Sequence, residues 1–327
     1  MTQSLLAQPG GALAPSRPRA LLRTVAVVSC LPYLGLKVAW LSGSEIGIPE
    51  GSSLLEHRSA VAVANGVTLL MDACVIVLAL VLTRPWGLRV PAWLLAGPVW
   101  VATGLLSPIM TGFPLQLLVK LFGGTVNSDD TGDEPFLHDW VFGVVYGGFI
   151  VQGLALGTLF ALYARDRWGH LWRGRVWELP RASAGPVQRT LAVAAAVVAL
   201  FPLALHLLWA CGATVGLDEG HTTDFQVLRA LDALFLLASV CGALLLAFRR
   251  APVLPVKVPL ALTWVGSGAA ACWGAWLTLA SLIVTDDSPT HLMNLAYAGQ
   301  MITGILAAAV GAHFLMERSA VLPRRRV

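Results

Sequence analysis

Eight mostly apolar stretches alternate with short polar connections along the chain, at roughly 22–42, 59–83, 91–111, 139–163, 190–212, 226–248, 258–284 and 292–315. Each reaches the length of about 20 residues that a helix needs to cross a bilayer. Inside lipid every backbone N–H and C=O must find its partner within the protein, so such runs predict helices. The pattern therefore predicts an all-α integral membrane protein with eight transmembrane helices. Residues 1–20, rich in Ala, Pro, Ser and Gly, are expected to form a disordered tail. No small-residue cleavage site follows the first apolar run, which is expected to be an anchor and not a removable signal.

Composition strengthens this reading. The 327 residues are 57% hydrophobic and 12% charged, with a mean hydropathy of +0.73. A soluble domain carries about 25% charged residues. Too little polar surface remains to clothe a water-soluble particle, so the lipid bilayer is the first implied partner.

Charge then sets an orientation. All but four of the 22 Lys and Arg (the exceptions are Lys37, Arg58, Lys120 and Arg229) fall in the two tails, at their edges, or in the even-numbered connections. The odd-numbered connections are acidic, with Glu45, Glu50 and Glu56, Asp129 to Glu134, Asp218, Glu219 and Asp224, and Asp286 and Asp287. Basic residues stay on the cytoplasmic side, so both termini are expected inside. The net charge of +4 is accounted for by this topology, and no nucleic-acid partner is implied.

The polar positions also recur. Lys37-x-x-Trp40-x-x-Gly43-x-x-x-Gly47-x-x-Glu50-Gly51 matches His206-x-x-Trp209-x-x-Gly212-x-x-x-Gly216-x-x-Glu219-Gly220 at identical spacing. Asp72 and Asp232 occupy the second helix of each copy, and Arg89-Val-Pro91 and Lys257-Val-Pro259 open the third. Tyr146, Gly148 and Gly153 of the fourth helix match Tyr297, Gly299 and Gly304. These anchors predict two tandem four-helix repeats, at 21–165 and 190–318, joined by a cytoplasmic linker at 166–189 and followed by a basic tail at 319–327. An even number of spans per copy makes the repeats parallel, related by a two-fold axis along the membrane normal. The first copy carries an extra segment at 112–137, whose residues 113–122 read as a short amphipathic helix on the outer interface.

The [HK]-x-x-W-x-x-G-x-x-x-G signature at the end of a first helix resembles that of uncharacterised four-helix integral membrane proteins of actinobacteria. The resemblance implies a duplicated relative in a bacterial plasma membrane and brings no chemistry with it. The usual histidine of the signature is replaced by Lys37 in the first copy.

Ionisable residues at membrane depth cost about 2.5–3.5 kcal/mol each on insertion scales, so each calls for a partner or a role. Lys37, Asp72, His206 and Asp232 are the candidates, together with Arg229 one turn before Asp232, and Glu50 and Glu219 after the repeated glycines. They are expected to line a polar site between the pseudo-symmetric halves near the outer leaflet, where a solute or ion would bind. Alternatively, Lys37 snorkels to the headgroups.

A second constellation is the set His57, His138, His221 and His291, one histidine in each acidic connection or at the following helix start. Imidazoles and carboxylates converging there could hold a transition metal such as Zn²⁺ or Cu²⁺, or supply a general base. No two of them share a helix face, and helix starts attract acidic residues for dipole reasons alone.

No Walker A loop, nucleophile elbow, H-E-x-x-H or C-x-x-C occurs, and no further cofactor is evident. Three readings stand: a permease-like or solute-binding protein, a membrane-embedded enzyme with an extracytoplasmic site, and an accessory subunit needing a partner ATPase. A homo-oligomer is compatible with each. The five cysteines are read as buried apolar residues, the four-spaced glycines of the first copy's fourth helix as close-packing positions, and Trp40, Trp140 and Trp209 as outer interface anchors.

Overall fold

The structure is a computed structural model that describes residues 17–50, 52, 58–124, 137–176, 185–217, 222–249, 253–283 and 289–321. The described residues form nine α-helices: α1 (Arg17–Val28), α2 (Leu31–Leu41), α3 (Arg58–Val81), α4 (Ala92–Leu121), α5 (Asp139–Trp168), α6 (Gly185–Ala210), α7 (Thr223–Phe248), α8 (Lys257–Ile283) and α9 (His291–Val321). A 3₁₀ turn, Pro85–Arg89, leads into α4. Eight helical spans are long and apolar enough to cross a membrane, α1 and α2 together making the first. Leu70, Trp93, Leu200 and Leu282 lie bare on the outside of the bundle. A surface of that kind suits hydrocarbon, and the chain is a multi-pass membrane protein.

The break between α1 and α2 has a local cause. Pro32 sits in the first turn of α2 and lacks the N–H that would continue the helix from Val28. Three prolines (Pro98, Pro108 and Pro114) leave α4 unbroken. At about 1.5 Å per residue its 30 residues run to roughly 45 Å, beyond the apolar thickness of a bilayer. This corrects the separate interfacial helix expected at 113–122: residues 112–121 simply continue α4. The overhang is held from the side, with Gly112 against Leu228 and Gln116 Nε2 donating to Asp224 Oδ2 at 3.2 Å, both on α7.

Helices α1–α5 pack among themselves, as do α6–α9, and α4 joins the two groups by packing on α7 and α8. The seam is close because its residues are small. A Cβ on Gly104 would lie 2.3 Å from the carbonyl oxygen of Gly268. Around that contact Trp100 Nε1 donates to Ser267 Oγ at 3.0 Å and Trp273 Nε1 to the Leu105 carbonyl at 3.1 Å. Helix α8 is the hub, since Gly266 meets the α7 backbone at Ser239, and Gly274 meets α9 at Tyr297. Small residues at such crossings are how membrane helices gain packing where lipid removes the hydrophobic drive.

Two expectations change here. Gly143, Gly147 and Gly157 have nothing near a would-be Cβ, so of the four-spaced glycines of α5 only Gly153, against Met110, is a packing position. Cys30 is buried, but Cys74, Cys211 and Cys241 lie on the surface of the bundle.

Candidate functional site: two buried charge constellations

The ends of α2 and α6 meet the starts of α5 and α9 at one end of the bundle, here called the acidic end after the Asp and Glu of the adjoining sequence. Helices α2 and α6 finish there in the same turn. Gly43 (φ +89°) and Gly212 (φ +86°) follow the two helices, and Gly47 (φ +80°) and Gly216 (φ +69°) follow four residues later. L-residues with a Cβ rarely adopt these angles, which is why glycine recurs at that spacing. Trp40 Nε1 donates to the Ile46 carbonyl at 2.8 Å, and Trp209 Nε1 to the Val215 carbonyl at 3.0 Å. Each turn then docks on the start of a later helix: the His138 N–H donates to the Gly47 carbonyl at 3.0 Å, and Thr290 Oγ1 to the Gly216 carbonyl. Trp209 is wholly buried, so it staples its turn and does not anchor in the lipid interface.

Just before these turns come Lys37 and His206. Lys37 is fully buried, and its Nζ donates to Asp72 Oδ2 of α3 at 2.5 Å. The ammonium also lies 3.7 Å from the ring centroid of Tyr33, one turn back on α2. Tyr33 packs edge-on against Phe149 of α5. Lys37 therefore does not snorkel, and Asp72 gains the partner that its own helix lacks. A compact ammonium on a flexible stem suits a single carboxylate oxygen, and the aromatic face takes the remaining charge.

His206 is likewise fully buried, and its Nε2 meets Gln300 Oε1 of α9 at 2.9 Å. Its Nδ1 faces Asp232 Oδ2 of α7 at 3.9 Å and has no hydrogen-bond partner among the described residues. Arg229 makes the expected local pair with Asp232, Nη1 to Oδ2 at 3.2 Å. It lies 5.1 Å from the Phe225 ring centroid, and Tyr297 lies behind it at 6.0 Å.

The geometry corrects the single cleft between the halves. Lys37 with Asp72 belongs to α2 and α3, whereas His206 with Asp232 and Arg229 belongs to α6 and α7. Across the seam between the halves stand the uncharged Trp100, Thr103, Trp264 and Ser267, with Gln116 and the buried Asp224 also in contact there; Lys37, Asp72, His206 and Asp232 are not among them. A shallow apolar groove runs along α6 over Arg189, Val193 and Val197, and none of the four ionisable residues lines it.

The loop histidines do not assemble a ligand set among the described residues, where no three His, Cys, Asp or Glu side chains converge. His138 and His291 stand exposed at the starts of α5 and α9, while His57, His221 and Glu219 lie outside the described residues. Glu50 is described and exposed.

Sequence reasoning missed Tyr33, Gln300 and Phe149, which complete the two constellations. Tyr33 carried a readable signal, four residues before Lys37 on the same helix face. Gln300 is a lone amide in an apolar run, and only the packing of α9 on α6 reveals its partner. No family profile, curated protein or solved structure matches the chain.

Proposed function

We propose that this protein is a permease-like membrane protein that handles a small solute or ion. Its working groups are two basic–acidic constellations, one in each half, near the acidic end. The observation that carries the reading is the fully buried Lys37–Asp72 pair at 2.5 Å inside a membrane-spanning bundle. Desolvating two opposite charges usually gains little over an apolar pair, so a fold that keeps them for stability alone has a cheaper alternative. In membrane helices such charges mark ion and substrate paths.

In this reading the halves are tandem parallel copies, with the acidic end outside and the basic end in the cytoplasm. Support comes from the matched Gly-Trp turns after α2 and α6, and from the basic residue that reaches from each to an Asp of the next span. The duplication from a four-helix ancestor of the actinobacterial type accounts for both.

The test is complementation of a deletion strain across growth, uptake and resistance phenotypes. Asp72→Asn is expected to abolish complementation, and the charge-free double variant Lys37→Met/Asp72→Leu, which leaves no buried charge unpaired, is expected to reach the membrane at normal level yet fail to complement as well. Full complementation by both Asp72→Asn and His206→Ala overturns the proposal.

A further inference from the structure

The two constellations are built alike but differ in one chemical respect. Lys37 brings its own donor hydrogen to Asp72. His206 stands at the matching place and brings none until it takes up a proton. With Gln300 Oε1 as the acceptor, His206 Nε2 carries the hydrogen of that 2.9 Å contact. The lone pair of Nδ1 is then left facing the Asp232 carboxylate, with both atoms acceptors, in a site where His206 is wholly buried. Arg229 Nη1 meets the same Asp232 oxygen at 3.2 Å, yet its Nε and Nη1 make no hydrogen bond among the described residues.

We infer that His206 and Asp232 form a binding site for one exchangeable proton. Protonation at Nδ1 turns the facing acceptors into an N–H donor and a carboxylate, and so reproduces in the second half the pair that Lys37 and Asp72 hold constantly in the first. The groups facing the imidazole are Asp232 and Arg229 from α7, and Gln300 from α9, with Tyr297 of α9 behind Arg229. The Asp232 carboxylate draws the proton to Nδ1, and the Arg229 guanidinium opposes a second positive charge. Burial and the Arg229 guanidinium together keep the proton exchangeable. Both basic groups are fully buried, while the carboxylates keep a little exposure, 14% of the side chain for Asp232 and 6% for Asp72.

The proton site depends on the permease reading for its use but not for its existence, and a direct titration separates the two. The full chain in lipid nanodiscs, labelled with ¹⁵N-histidine, is titrated from about pH 8 to about pH 3, a span that reaches below the range in which exposed imidazoles change charge. His206→Gln, which keeps an amide for Gln300, assigns the His206 signals. The expected result is conversion of His206 from a neutral ring protonated at Nε2 to an imidazolium, with uptake of one proton. That step should be absent in His206→Lys and markedly shifted in Asp232→Asn, while Asp72→Asn leaves it in place. A ring that stays neutral throughout, whether protonated at Nδ1 or at Nε2, overturns the inference and leaves the Asp72 complementation result standing. Should His206→Lys fold poorly, an unshifted His206 titration in Asp232→Asn overturns it equally.

Discussion

Replacing both members of the Lys37–Asp72 pair separates what the charges do for stability from what they do for function. Each single change leaves one charge buried without its partner. With Lys37 fully buried and the Asp72 side chain 6% exposed, neither can turn to water without moving a helix. Removing one partner of a buried pair costs about 3–5 kcal/mol, so Lys37→Met and Asp72→Leu should each lose that much. The double variant Lys37→Met/Asp72→Leu removes both desolvation costs and packs apolar side chains of similar volume beside Tyr33. It should recover most of the loss, giving a coupling energy of several kcal/mol between two contacting sites. Reversible unfolding in mixed detergent, followed by tryptophan fluorescence, measures all four corners of the cycle. Complementation is scored on the same four proteins, and the double variant should be stable yet inactive. Additive single-variant losses would refute the pairing. A stable and fully active double variant would refute the functional reasoning.

Three further outcomes follow from packing. Gly104→Ala pushes a methyl group into the Gly268 carbonyl and should destabilise the seam by about 1–3 kcal/mol, whereas Gly143→Ala, with open space around it, should be close to neutral; the same unfolding assay compares them. Trp209→Phe keeps the buried ring but leaves the Val215 carbonyl without its donor, a loss of about 1–3 kcal/mol that unfolding will register. At the basic end, Arg318 donates from Nε to the Leu171 carbonyl at 2.9 Å and from Nη2 to the Arg173 carbonyl at 3.1 Å. Arg318→Ala should therefore release the segment joining the halves and raise its rate of cleavage by trypsin in detergent-solubilised protein, leaving the spans intact.

The eight spans were legible because lipid imposes a simple rule: an uninterrupted apolar run of sufficient length has to satisfy its backbone internally, which makes it helical. The paired glycines after α2 and α6 were legible too, since a positive φ at fixed spacing demands that residue. The α5 glycines misled because a glycine on a helix marks where a neighbour could approach, not whether one does. The overhang of α4 misled for a related reason: the mixed face of residues 113–122 resembles a new element, yet the helix runs on unbroken, held from the side by α7.

The pairing of the charges belonged to the tertiary structure alone. Sequence placed Lys37, Asp72, His206 and Asp232 at membrane depth and showed that each needed a partner. It could not choose between one shared cleft and two separate sites, because that choice depends on which helices touch. Helix α4 meets α7 and α8 through tryptophans and small residues, leaving α2 against α3 and α6 against α7. Each basic residue is thereby confined to the carboxylate of its own half. The one-residue difference between Lys37 and His206 was visible in the sequence from the start. What it means was set by the neighbours that folding brought to it, a carboxylate and an aromatic face for Lys37, and a carboxylate and an amide for His206.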